Sequence, residues 1–293
     1  MNEFWIIITA SLVAICTALL GSFLMLRKMA MVGDAISHAV LPGIVVAYLM
    51  SGSKVSLSLL FGATLTGLIA TFIISLIAKK ARIQNDAAIG ITYTLLFAIG
   101  IILIEAGVSG NVDIDLDCVL YGDIALINLD KIIIDGNLYL GPRAFYVELL
   151  AFVIVLIAII LGYKGLKILS FNEEYAASLG IKVNRWHYFL MALVSLVTVL
   201  SFEVVGAVLV VGFLVIPPAT AYLITDKLKS LLWLASGFGV LSVVIGFILA
   251  DFLQVSITGM MIVASALLFG LVFIYHIISK RSRQKQISLV KEN

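Results

Sequence analysis

The stretch FWIIITASLVAICTALLGSFLML, Phe4–Leu26, contains no Asp, Glu, Lys, Arg or His, and Arg27-Lys28 closes it. A helix of about 20 apolar residues crosses the hydrocarbon core of a bilayer. Similar windows recur at Val55–Ala78, Ala87–Ile104, Leu149–Tyr163, Tyr188–Phe202, Val204–Thr225, Ser230–Ala250 and Phe252–Tyr275. Met29–Met50 is one more, interrupted only by Asp34 and His38. The whole chain has 293 residues, 62% of them hydrophobic and 12% charged, with a mean hydropathy of +1.19. A water-soluble core of this size needs far less apolar surface. The pattern therefore gives an all-α, polytopic membrane protein with eight to nine transmembrane helices. The runs are continuously apolar rather than alternating, which disfavours a β-barrel. One polytopic helical domain is expected over residues 1–279, followed by a basic cytoplasmic tail over 280–293.

The first run does not read as a cleaved signal: it is long, no basic segment precedes it, and no small-residue cleavage site follows. Cys16 and Cys118 lie far apart, one in an apolar helix and one in a loop, so neither a metal motif nor a disulfide is expected. The net charge of +2 says little; its distribution says more. Lys and Arg prefer cytoplasmic loops. With nine crossings, one side collects all of the 19 basic residues except Lys54, Lys131 and Arg143. The N-terminus is then outside and the C-terminus cytoplasmic. The ambiguous segment is Tyr188–Thr225, with Glu203 inside and Pro217-Pro218 near its end. It reads either as two crossings or as a crossing plus a broken, re-entrant piece. The external loop Gly107–Arg143 is acidic, with Asp113, Asp115, Asp117, Asp123, Asp130 and Asp135, and Cys118–Ile133 is a candidate surface helix.

Asp34 and His38 stand four residues apart in an apolar helix, so they share a face. Ionisable groups within a membrane span are costly and usually face a cavity or a transport path. A carboxylate oxygen and an imidazole nitrogen aimed at one point make half a site for Mn²⁺, Fe²⁺ or Zn²⁺. His38 ligates only as neutral imidazole, so acid should weaken the site. The competing reading is a hydrogen-bonded core histidine with Asp34 capping a helix broken at Gly33. Counting from a cytoplasmic Met29 at about 1.5 Å per residue puts Asp34 only roughly 8 Å into the membrane.

Between two spans lies Ser170-Phe171-Asn172-Glu173-Glu174-Tyr175-Ala176-Ala177-Ser178-Leu179-Gly180. Asn172 can cap a short helix whose first turn carries Glu173 and Glu174, as the helix dipole favours, and Leu179-Gly180 suits its end. Such a helix is either a connector or a coupling element that fits a motor subunit. His187, beside Arg185 and Trp186, reads as an interfacial anchor. Pro42, Gly43, Pro217 and Pro218 interrupt helical runs and mark kinks, hinges or broken helices.

Three segments carry a family resemblance: Leu26 through Asp34, Ser37-His38 and Val40-Leu41-Pro42-Gly43; Phe171 through Leu179-Gly180 to His187-Tyr188; and Val205-Gly206-Ala207 through Pro217-Pro218-Ala219-Thr220. Together they resemble the permease subunit of the bacterial ABC importers of manganese, zinc or iron(II). The wording around Ser37-His38 is nearer the manganese-type branch. The resemblance implies the vitamin B12/metal-chelate (type II) importer fold and a location in the bacterial cell (inner) membrane. It implies two cytoplasmic ATP-binding subunits, an external metal-binding receptor and a second permease, identical or related; lipid is the remaining partner, and nucleic acid is not expected. It assigns Asp34 and His38 to the metal path. It assigns Phe171, Glu173, Glu174, Tyr175, Leu179 and Gly180 to ATPase coupling. No permanently bound cofactor is implied, only the transported Mn²⁺, Zn²⁺ or Fe²⁺. The chain has no Gly-x-x-x-x-Gly-Lys-Ser/Thr motif, so it is not expected to be an enzyme. The alternatives are a proton-coupled secondary metal transporter, with Asp34 and His38 as a relay, and an intramembrane metalloprotease, which would need more ligands than Asp-x-x-x-His supplies.

Overall fold

The computed structural model describes residues 2–51, 56–107, 124–127, 131–134, 138–171 and 173–292. Their helices are α1 (Asn2–Leu26), α2 (Val32–Ala39), α3 (Leu41–Ser51), α4 (Ser56–Ala81), α5 (Asn85–Gly107), α6 (Arg143–Phe171), α7 (Glu173–Ser178), α8 (Val183–Val205), α9 (Ala207–Tyr222), α10 (Leu228–Leu253) and α11 (Ile257–Glu292). Eight stretches are long and apolar enough to cross a membrane, with α2 and α3 acting as one. The acidic Asp positions of the outer loop lie outside the described residues, as do Cys118 and Asn172. Within Cys118–Ile133, the described part is one 3-10 turn at Ile124–Leu126 and the start of a strand. That strand, β1 (Lys131–Ile134), pairs antiparallel with β2 (Leu138–Pro142) across a bulge at Ile132/Ile133. The surface helix expected there is thus replaced, where described, by a hairpin. Gly141 brings β2 against the Trp5 ring, and Trp5 packs edge-on against Phe145 at 5.1 Å.

The ambiguous segment resolves into two helices, α8 and α9, that meet at Gly206 (φ 80°, ψ 158°). This is backbone that glycine adopts without a Cβ penalty. Leu209, Val210 and Phe213 of α9 pack with Ile6, Ala10 and Ile124 at one end of the bundle. Tyr222, at the other end of α9, faces a crevice it shares with Leu26 and Phe171. The helix therefore runs the length of the bundle, although its 16 residues span only about 24 Å. The described residues make nine helical passes.

Pro217 and Pro218 do not break α9, which continues through both. A helical proline removes the hydrogen bond to the carbonyl four residues earlier. For Pro218 that carbonyl is Leu214's, and Gly21 of α1 packs against it: a Cβ on Gly21 would lie 1.9 Å from the Leu214 oxygen. α1 packs closely over the freed carbonyl at this point. Pro42 is the second residue of α3, where its missing N–H costs little. The joint between α2 and α3 falls at Val40 instead. Gly43 serves close packing: a Cβ there would lie 1.8 Å from Thr66 Oγ1 and 2.3 Å from the Gly62 carbonyl of α4.

Candidate functional site

The turn after α1 decides where the acid–imidazole pair sits. Lys28 adopts the left-handed conformation (φ 57°). Its N–H donates to Met25 O at 3.0 Å, and the Met29 N–H donates to Leu24 O at 2.9 Å. This is the Schellman termination, with lysine in the place usually taken by glycine. The chain doubles back at once, so Met29 is buried at 6% exposure and packs in the main core. The depth count from Met29 therefore starts from a residue packed inside the bundle rather than at its surface. Gly33 meets Leu214, midway along α9, and Ile36 meets Gly67, midway along α4. Asp34 and His38 flank Ile36 and lie near mid-bundle.

His38 Nε2 and Asp34 Oδ1 are 3.7 Å apart, beyond a hydrogen bond. Two donors each about 2.1 Å from one ion lie at most about 4.2 Å apart, so one ion can touch both. Their side chains are 42% and 36% exposed, respectively, and open to the outside of the single chain. The His38 ring lies 5.7 Å from both Tyr93 and Phe97 of α5, an aromatic wall that restrains the imidazole. Asp34 sits inside the first turn of α2 and does not cap it: the cap is Met31, without a side-chain hydrogen bond. Among the described residues, no group of three or more His, Cys, Asp or Glu is arranged to hold a metal. The pair supplies two ligands and requires others from water or another chain.

The expected coupling helix is α7. Gly180 ends it with φ 75°, and the Ile181 N–H donates to Ala176 O at 3.1 Å, a second Schellman turn. Phe171, Tyr175 and Leu179 recur every four residues and are each more than half exposed, whereas Ala176 is buried. Glu174 is exposed as well. Glu173, itself half exposed, pairs with Arg27, a residue that sequence reading marked only as a topological charge. The Arg27 side chain is 5% exposed. Below this pair, a cavity of about 200 Å³ is lined by Met29, Ser75, Lys79 and His187, among others. His187 is not an interfacial anchor: it is buried, and its Nε2 lies 2.7 Å from Ser75 Oγ.

Sequence reading missed a second acid. Glu148 of α6 is wholly buried, and its carboxylate interacts with Ser201, which is buried as well. A sequence signal existed. Glu148 continues the buried face Ala151, Val155, Ile159, Gly162 of α6, at the three-to-four spacing of a core stripe.

The family model described as the ABC 3 transport family matches residues 2–276. The chain belongs to that family. It is 43% identical over 273 residues to the manganese transport system membrane protein MntD of Bacillus subtilis, covering 93% of this chain and 92% of that one. It is 35% identical to the zinc transport system membrane protein TroD of Treponema pallidum, covering 92% of this chain and 73% of that one. Among solved structures it is similar to a chain of PsaBC from Streptococcus pneumoniae in complex with Fab, with 35% identity and a TM-score of 0.73 over 92% of this chain and 90% of that chain. A metal-chelate type ABC transporter in an inward-facing conformation, at 18% identity and a TM-score of 0.61 over 93% of this chain and 85% of that one, shares the fold. The protein is a multi-pass membrane permease of ABC type, and the proton-coupled alternative is set aside.

Proposed function

We propose that this permease carries a divalent transition metal, manganese in the first instance, into the cytoplasm, with Asp34 and His38 as a transient station on the path. The observation that carries this reading is the pair's geometry: two hard-to-intermediate donors, 3.7 Å apart, half open near mid-bundle. Manganese is favoured by the names of the relatives at 43% and 39% identity, both manganese transport membrane proteins. The zinc relative keeps zinc in contention. Ligand type alone does not select manganese, because divalent affinity rises from Mn²⁺ towards the later metals. Two ligands bind weakly enough to release the ion, and an identical or related second permease would add a second pair.

Power comes from ATP-binding subunits, and cargo from an external receptor. The exposed Phe171, Tyr175 and Leu179 stripe is the surface we assign to the ATPase, which places it and the C-terminus in the cytoplasm and the N-terminus outside. A push on α7 passes from Glu173 to Arg27, the residue between α1 and the turn that starts α2. Asp34 lies two residues into α2. Coupling of this kind needs a contiguous element with two arrangements, and the α7–Arg27–α2 chain is our candidate. Proteoliposomes holding the permease, its ATPase and a loaded receptor should take up ⁵⁴Mn only with ATP inside the catalytic compartment. Uptake driven by a proton gradient without the ATPase would refute this function.

A further inference from the structure

Between α6 and α8 the surface carries a groove of about 900 Å³. Its walls are apolar: Ile154, Ile157 and Leu161 from α6 face Phe189 and Leu193 from α8. At one end stand Lys182 and Arg185, both exposed and neither in an ion pair with a described acid. Trp186 forms part of the floor. Its ring lies flat in a notch cut by Gly162 and Gly165, where a Cβ would approach it within 2.9 Å and 2.4 Å, respectively. Phe189 packs edge-on against it, at 5.8 Å.

The proportions are those of one lipid in one leaflet. From Lys182 to Leu193 is about 16 Å along a helix, half of a hydrocarbon core about 30 Å thick. Two cations and an indole mark the headgroup level, and aliphatic walls fill the acyl depth. Basic pockets between transmembrane helices suit anionic headgroups.

We propose that this groove binds one anionic phospholipid, with its phosphate on Lys182 and Arg185 and an acyl chain along α6 and α8. Lys182 lies four residues beyond α7, so the bound headgroup sits beside the coupling helix. The proposal rests on the membrane reading and not on the transported metal, so the two can fail separately.

The test uses the full-length permease with its ATPase, purified in detergent and equilibrated with equal phosphatidylglycerol and phosphatidylcholine. Retained lipid is read by native mass spectrometry. Wild type should retain phosphatidylglycerol in preference. Replacing both cations (Lys182→Ala with Arg185→Ala) should cut that preference about thirty-fold, at roughly five-fold for each cation lost. Ile157→Trp, which fills the groove from an exposed position, should lower retention of both lipids while the thermal transition stays in place. Equal retention of the two lipids by wild type would overturn the proposal, as would an unchanged preference in the double variant. So would efficient crosslinking of Leu161→Cys to its counterpart in a second permease, because the groove would then be closed by protein.

Discussion

Two acids on membrane-spanning helices, Asp34 and Glu148, stand in opposite settings. Asp34 lies on an eight-residue helix, beside His38 and half open. Glu148 lies on a 29-residue helix, wholly buried, with Ser201 beside it. Both are expensive residues by the same physics, but only the first has the geometry to receive an ion and let it go. A wholly buried carboxylate is costly in its charged form, by several kcal/mol, and Glu148 is closed off from the surface where the Asp34–His38 pair is open. Its buried neighbours include Cys16 and Ser201. Cost alone therefore does not identify a transport residue; openness and a second ligand do.

This contrast can be broken by four substitutions, taken in order of decreasing effect. Asp34→Ala or His38→Ala should each reduce cellular manganese accumulation to background with the membrane level of the permease unchanged, as read by uptake beside immunoblotting. Arg27→Gln should leave the station intact but weaken its link to α7. Uptake should fall about tenfold, within the 1–3 kcal/mol usual for coupled sites, while ATP hydrolysis falls less, so the ratio of ions moved to ATP consumed drops. Glu148→Gln keeps shape and removes the charge, and transport should stay within about twofold of wild type, with thermal stability in detergent equal or higher. A loss of uptake in Glu148→Gln matching that of Asp34→Ala would erase the distinction between the two acids.

The spans were legible because an uncharged run of bilayer length has one main explanation. The acid–imidazole pair was legible because its four-residue spacing survives any packing of the helix. The depth of the pair was not. It depends on a Schellman turn with Lys28 at the left-handed position, where the sequence offers no glycine as a signal. Nor was the Arg27–Glu173 pair, which joins residues 146 apart. Pro217-Pro218 read as a kink, hinge or broken helix, yet α9 continues through both and the helix boundary in this segment is at Gly206. Local rules located the punctuation, and tertiary contacts decided what each mark meant.

The account's central claim is that Asp34 and His38 touch the ion during ATP-driven transport. The direct measurement is ⁵⁴Mn uptake alongside ATP hydrolysis in proteoliposomes holding the permease, its ATPase and loaded receptor, with wild type compared against the Asp34→Ala, His38→Ala double variant. The expected result is receptor-stimulated hydrolysis retained and uptake at the level of empty liposomes. Uptake by the double variant at the wild-type rate would contradict the claim.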